Sequence, residues 1–265
     1  MTFANWSRAL TVACRGLLLA VPGWARSNET GFLDRVVVLD GEEHNYQVFV
    51  PRQWNPRAKW PVILFLHGYD EGGSDGILPT DDGIGTAIRT HPDWVPCVVV
   101  IPQCRKHDWW TNAPMEVLAL AALERTMREF HGDPRRVYLT GLSMGGYGAW
   151  ALGALYPHKF AALVPICGGV RVPRGGDFLK AHDTDDSDDP FGAIAKKIGK
   201  TPVWVFHGHA DSTVPVTESR QMVEALKAAG GNVRYTEYPG VGHNSWEKAY
   251  DDPGLFAWLF SQTLP

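Results

Sequence analysis

The sequence predicts an α/β protein: a mostly parallel eight-stranded sheet flanked by helices, with a small cap insert at about residues 168–200. Three observations carry this reading. Short runs rich in Val, Ile and Leu alternate with longer helix-like segments over most of the chain. The run Val62-Ile-Leu-Phe-Leu66 is apolar throughout, the pattern of a strand covered on both faces. Hydrophobic residues make up 45% of 265, with 11 Trp and 11 Phe, which is ample for a large core.

The elements follow in order. Residues 36–39 and 46–50 read as a β-hairpin turned at Asp40-Gly41, a dipeptide suited to positive backbone angles. After a loop from Trp54 to Trp60, the strand at 62–66 ends in His67-Gly68-Tyr69 and a glycine-rich stretch, 70–76. Strand 98–102 precedes a helix at 117–130, and strand 137–140 runs directly into a turn and a helix. Strand 162–166 leads into the irregular insert. Strand 203–206, helix 218–229 stopped by Gly230-Gly231, strand 233–238 and a closing helix at 253–262 complete the pattern. No repeat or linker divides the chain, so residues 26–265 are expected to form one domain.

Residues 1–25 read as a cleaved export signal, with Arg8 at its start, an apolar stretch at 17–21 and Gly23-x-Ala25 as a small-residue cleavage pattern. An amphipathic helix and a mis-chosen start codon are the alternatives for this segment. The expected location is secreted or periplasmic, with the cytoplasm as the alternative. Net charge is −4, so no footprint for nucleic acid or an anionic membrane is present, and no apolar run reaches membrane-spanning length. Cys97 and Cys104 bracket a strand; a seven-residue extended step spans roughly 23 Å, too far for a disulfide, so buried free thiols are expected. The run Asp183-Thr-Asp-Asp-Ser-Asp-Asp189 lacks the Gly and terminal Glu of a calcium loop and reads as solvated surface.

The chemistry centres on Gly141-Leu-Ser143-Met-Gly145, between a strand and a helix. A serine on such a turn leaves no room for side chains two residues to either side, and the glycines answer that constraint. A serine hydroxyl needs a base, and the base an orienting acid. Strand 203–206 opens into His207-Gly-His209-Ala-Asp211, and strand 233–238 opens into a loop carrying His243. Asp211 and His243 are therefore the expected acid and base. In such an arrangement the acid and then the histidine follow the serine on strand ends, so Asp81, Asp82 and Asp108, which precede it, and the cluster from Asp183 to Asp189 in the insert, fit less well. Met144 N–H and Tyr69 N–H are the expected oxyanion donors. Tyr69, Trp109 and Trp110 are candidates to wall an acyl pocket, with capping of the sheet as the competing role for the tryptophans. His207 and His209 read as structural, with His209 also a candidate to line the pocket, and His67 reads as a brace for the oxyanion loop.

With these segments, and with Val214-Pro215 and Gly242-His243, residues 36–262 resemble the α/β-hydrolase superfamily. The likeness is to its carboxylesterase branch, which takes in phospholipase/carboxylesterases, dienelactone-hydrolase-like and prolyl-oligopeptidase-like proteins, feruloyl esterases and polyhydroxybutyrate depolymerases. The loop after His67 departs from the HGGG glycine run of lipases and esterases. The resemblance implies a serine carboxylesterase working through an acyl-enzyme on a small-molecule or polysaccharide-linked ester, aromatic or short-chain in its acyl group. A small serine peptidase or amidase, and a non-catalytic binding protein on the same scaffold, are the alternatives. No cofactor and no metal is called for.

Overall fold

Along the inner strands successive side chains point to opposite faces, so a sheet built from wholly apolar strands has to be covered twice. The computed structural model, which describes residues 29–171 and 189–265, meets this demand with one eight-stranded sheet. In chain order the strands are β1 (Gly31–Leu39), β2 (Glu42–Val50), β3 (Trp60–Leu66), β4 (Val98–Pro102), β5 (Gly132–Leu142), β6 (Ala162–Ile166), β7 (Val203–Gly208) and β8 (Val233–Tyr238). The helices are α1 (Ile84–Thr90), α2 (Ala113–Glu129), α3 (Met144–Leu155), α4 (Pro190–Ile198), α5 (Thr217–Ala228), α6 (Trp246–Tyr250) and α7 (Pro253–Phe260).

The spatial order is β1-β2-β4-β3-β5-β6-β7-β8, antiparallel from β1 through β4 and parallel from there on. The hairpin turns where expected, with Asp40 at φ 50° and Gly41 at φ 84°, a turn whose twist matches the strands it joins. Val62, Leu64 and Leu66 face a core completed by α2, α3, α4 and α5. Ile63 and Phe65, one residue out of phase, face a second core closed by α1, α6 and α7.

This order fixes where a site belongs. From β3 the chain moves outward to β4, then crosses back to β5 on the other side of β3. The connections leaving β3 and β5 therefore diverge toward opposite faces and open a crevice beyond their carboxyl ends.

Three helices lie where no helix was expected: α1, α6 and, inside the supposed cap insert, α4. The described part of that insert is no lid. Phe191, Ile194, Ala195 and Ile198 are buried in the core. Asp189 starts this helix by accepting the Gly192 N–H at 2.9 Å, with Pro190 in its first turn. The polar run before it had masked a short amphipathic helix. The rest of the acidic run and residues 1–25, with Cys14, lie outside the described residues. Cys97, Cys104 and Cys167 are buried and unpaired, as expected.

Candidate active site

Ser143 stands between β5 and α3 with φ 51° and ψ −117°, a left-handed conformation that costs a non-glycine residue about 1–3 kcal/mol. Its neighbours explain how the turn is kept so tight. A Cβ on Gly145 would lie 1.9 Å from the Leu66 carbonyl oxygen, and one on Gly141 2.2 Å from that of Gly145. Only glycine fits either position. The serine's own N–H is held by the Ile166 carbonyl at 3.0 Å, which ties the turn to β6.

His243 Nε2 is 2.8 Å from Ser143 Oγ, and His243 Nδ1 is 2.7 Å from Asp211 Oδ2. A carboxylate only accepts, so Nδ1 carries the proton and Nε2 is left to accept the serine O–H. Three residues separated by up to 100 positions are thereby brought together at the carboxyl ends of β5, β7 and β8. Asp211 is buried to 0% exposure at its side chain while the histidine keeps 21%.

The Asp211 carboxylate accepts more than one bond. Its Oδ1 takes the Thr213 and Val214 N–H groups, both at 2.9 Å, and its Oδ2 is shared with His207 Nε2 at 3.1 Å. His207 Nε2 also faces the Val214 carbonyl at 3.0 Å, so that nitrogen is the protonated one and Nδ1 accepts from the Ser219 hydroxyl at 2.7 Å. Burial alone pushes the Asp211 carboxyl up. The bonds from His207 and His243 outweigh it and hold the group well below the usual carboxylate range. His207 as a second donor to the acid is the contact that sequence reasoning missed; its place four residues before Asp211 on the same strand end was the available signal.

On the other side of Ser143, the loop after β3 comes so close that a Cβ on Gly68 would lie 3.8 Å from Ser143 Cβ. His67 anchors this loop. It is 1% exposed, its Nδ1 donates to the Gly68 carbonyl at 2.5 Å, and its Nε2 accepts the Cys104 N–H at 2.9 Å. Burial drops its pKa to about 4, so the ring is neutral in the folded chain at neutral pH. Gln103, which the sequence did not single out, extends the brace: its amide donates to the Glu71 carbonyl at 2.9 Å and accepts the Gly76 N–H at 2.7 Å. Met144 N–H, first in α3, has no acceptor within its own helix. It directly follows the serine, and Tyr69 follows Gly68 on the loop after β3.

The aromatic candidates separate. Tyr69 is 44% exposed and stacks on Trp109, with centroids 5.0 Å apart and planes at 18°, while its hydroxyl meets His107 Nδ1 at 3.1 Å. Trp110 corrects the expectation. It is fully buried, its indole N–H bonds the His67 carbonyl at 3.0 Å, and its ring sits edge-on to His67. It supports the loop from beneath and, with no exposed surface, walls no pocket. His209 is exposed, with its Nδ1 2.7 Å from Glu237 in a surface network with Arg220. Asp81 faces Arg89, and Asp108 accepts the Trp109 N–H.

Residues 119–261 match the prolyl oligopeptidase family. An uncharacterized secreted protein of Arthroderma benhamiae is 26% identical over 209 residues, covering 70% of this chain and 21% of the relative. Poly(3-hydroxyalkanoate) depolymerase C of Paucimonas lemoignei is 27% identical over 220 residues, covering 74% and 49%. The chain thus spans at most about half the length of these curated relatives. Among solved structures, a thermostable esterase, 33% identical, superposes with a TM-score of 0.74 over 88% of this chain and 63% of its own. With more than half of its residues matching the family and its sheet in the α/β-hydrolase order, the chain belongs to the prolyl oligopeptidase family.

Proposed function

We propose that the protein is a serine carboxylesterase that works through an acyl-enzyme. The single observation that carries this reading is the unbroken line from Ser143 Oγ through both His243 nitrogens to Asp211, at 2.8 and 2.7 Å. Ser143 attacks the ester carbonyl while His243 Nε2 takes its proton. Asp211 fixes the imidazole tautomer and stabilises the imidazolium. The tetrahedral oxyanion is received by the N–H groups of Met144 and Tyr69, and its collapse expels the alcohol, protonated by His243. Water, deprotonated by the same nitrogen, then releases the acid. Tyr69 follows Gly68, where a Cβ would lie 3.8 Å from Ser143 Cβ, so its stack with Trp109 would border the site and suit flat or short apolar acyl groups.

Ser143→Ala is expected to lower kcat on p-nitrophenyl acetate and butyrate by more than about 10⁴-fold and to abolish labelling by a fluorophosphonate probe. Full activity in that variant would overturn the reading. The family match supports one competing reading, a serine peptidase or amidase using the same three residues. Turnover of p-nitroanilides comparable with that of the matching p-nitrophenyl esters decides for it. The export-like residues 1–25 and the likeness to a secreted fungal protein support a place outside the cytoplasm, which N-terminal sequencing of secreted material checks. No helix among the described residues is long and apolar enough to cross a membrane.

A further inference from the structure

The proton relay leaves one link in the site unused. The Trp246 indole stands edge-to-face with the His243 imidazole, 5.4 Å between centroids and 88° between planes. Its Nε1–H donates to Asp82 Oδ1 at 2.9 Å, across 164 residues of sequence. The same carboxylate oxygen accepts the Gly83 N–H at 2.6 Å. Gly83 in turn is wedged against Leu142, the residue before Ser143, so closely that a Cβ there would lie 2.6 Å from Leu142 Cδ2.

His243 is half-buried and sits on a loop, and its two in-plane hydrogen bonds, to Asp211 and Ser143, leave the ring free to turn about the line that joins them. A perpendicular aromatic wall removes the freedom, because such pairs prefer a defined mutual geometry. The wall is only as steady as its own anchor. Here the anchor is a charge-assisted hydrogen bond, roughly twice as strong as a neutral one. It also binds the histidine loop to the segment packed on the nucleophile's strand, so the two reacting groups share one support.

We propose that Asp82 is a positioning residue for His243: by holding the Trp246 indole N–H it fixes the plane of the imidazole against Ser143. The inference rests on the reading of Ser143 and His243 as nucleophile and base. Asp82 touches no reacting atom and acts through Trp246.

Steady-state kinetics on p-nitrophenyl butyrate, with the folded fraction of each variant measured by circular dichroism, provide the test. Asp82→Ala is expected to lower kcat roughly ten-fold with KM changed less than about two-fold, since the loss is of orientation and not of binding. Asp82→Asn, which keeps an acceptor oxygen for the indole, is expected to recover kcat to within about three-fold of the parent. Trp246→Phe, which keeps a ring but loses the N–H, should match Asp82→Ala, and the double variant should fall no further, because both interrupt one path. A folded Asp82→Ala protein with parental kcat overturns the proposal. So does an Asp82→Asn protein as impaired as the alanine variant, or a double variant whose losses multiply. If Asp82→Ala does not fold, the asparagine and phenylalanine variants decide alone. Ser143→Ala assayed alongside separates the two levels: its retaining activity sinks the esterase reading, whereas an inactive Ser143→Ala beside an unimpaired Asp82→Ala sinks only this one.

Discussion

His67, at the end of β3, and His243, on the loop after β8, approach Ser143 from the two sides of β5 and differ in what their ring nitrogens are left to do. Both nitrogens of His67 are committed to backbone groups, and burial keeps the ring neutral. His243 commits one nitrogen to a carboxylate and turns the other to a hydroxyl, with part of its surface open to solvent. The same side chain thus serves as scaffold or as proton carrier according to whether a basic lone pair is left facing something that reacts. Proximity to the serine alone does not distinguish them.

The contrast breaks most visibly at the carrier. His243→Ala is expected to reduce kcat by about 10⁴-fold or more while leaving the melting temperature nearly unchanged. Equal effects on activity and stability would mean that the two histidines are not specialised. Asp211→Asn should cost about 10³- to 10⁴-fold in kcat, because an amide offers an N–H where His243 Nδ1–H needs an acceptor. Single-turnover measurements with p-nitrophenyl butyrate read this loss directly.

At the scaffold the expected effects fall on stability. An unfolded histidine titrates near 6.5 and folded His67 near 4, so the unfolded chain binds its proton first as the pH falls. The contribution of His67 is therefore intact above pH 6.5 and is withdrawn between there and pH 4, amounting to about 3 kcal/mol when complete. Urea unfolding at pH 7 and pH 4.5 should show a smaller pH-dependent loss for His67→Gln than for the parent. Smallest of all, Trp109→Ala is expected to raise KM for aromatic acyl esters about ten-fold and leave acetate esters almost unaffected, since it removes the half-buried face of the stack with Tyr69. A uniform change across both esters would remove the stack from acyl recognition.

How far the sequence carries can be followed residue by residue. Wholly apolar runs such as 62–66 and 98–102 announce inner strands because both of their faces are covered, and Asp40-Gly41 announces a hairpin because few dipeptides accept its backbone angles. Ser143 was legible for a steric reason: the flanking glycines are demanded by the backbone itself. Short helices were not legible. α6 has five residues and α4 nine, too few for a helical period to emerge from a polar context. Depth of burial on irregular turns was equally hidden, so Trp109, half-buried and stacked on Tyr69, and Trp110, fully buried, could not be told apart. His209 was drawn outward by Glu237, a partner 28 residues away that no local pattern discloses.

Cys97, Cys104 and Cys167 lie buried near strand ends, and burial pushes each thiol up, so none of them presents a thiolate to an aqueous electrophile while the sheet is closed. Alkylation at these positions then has to wait for strands to part. Under excess reagent, the pace of sulfur capture becomes a clock for the opening of the molecule, and a ligand that grips the closed form slows that clock without ever meeting a cysteine.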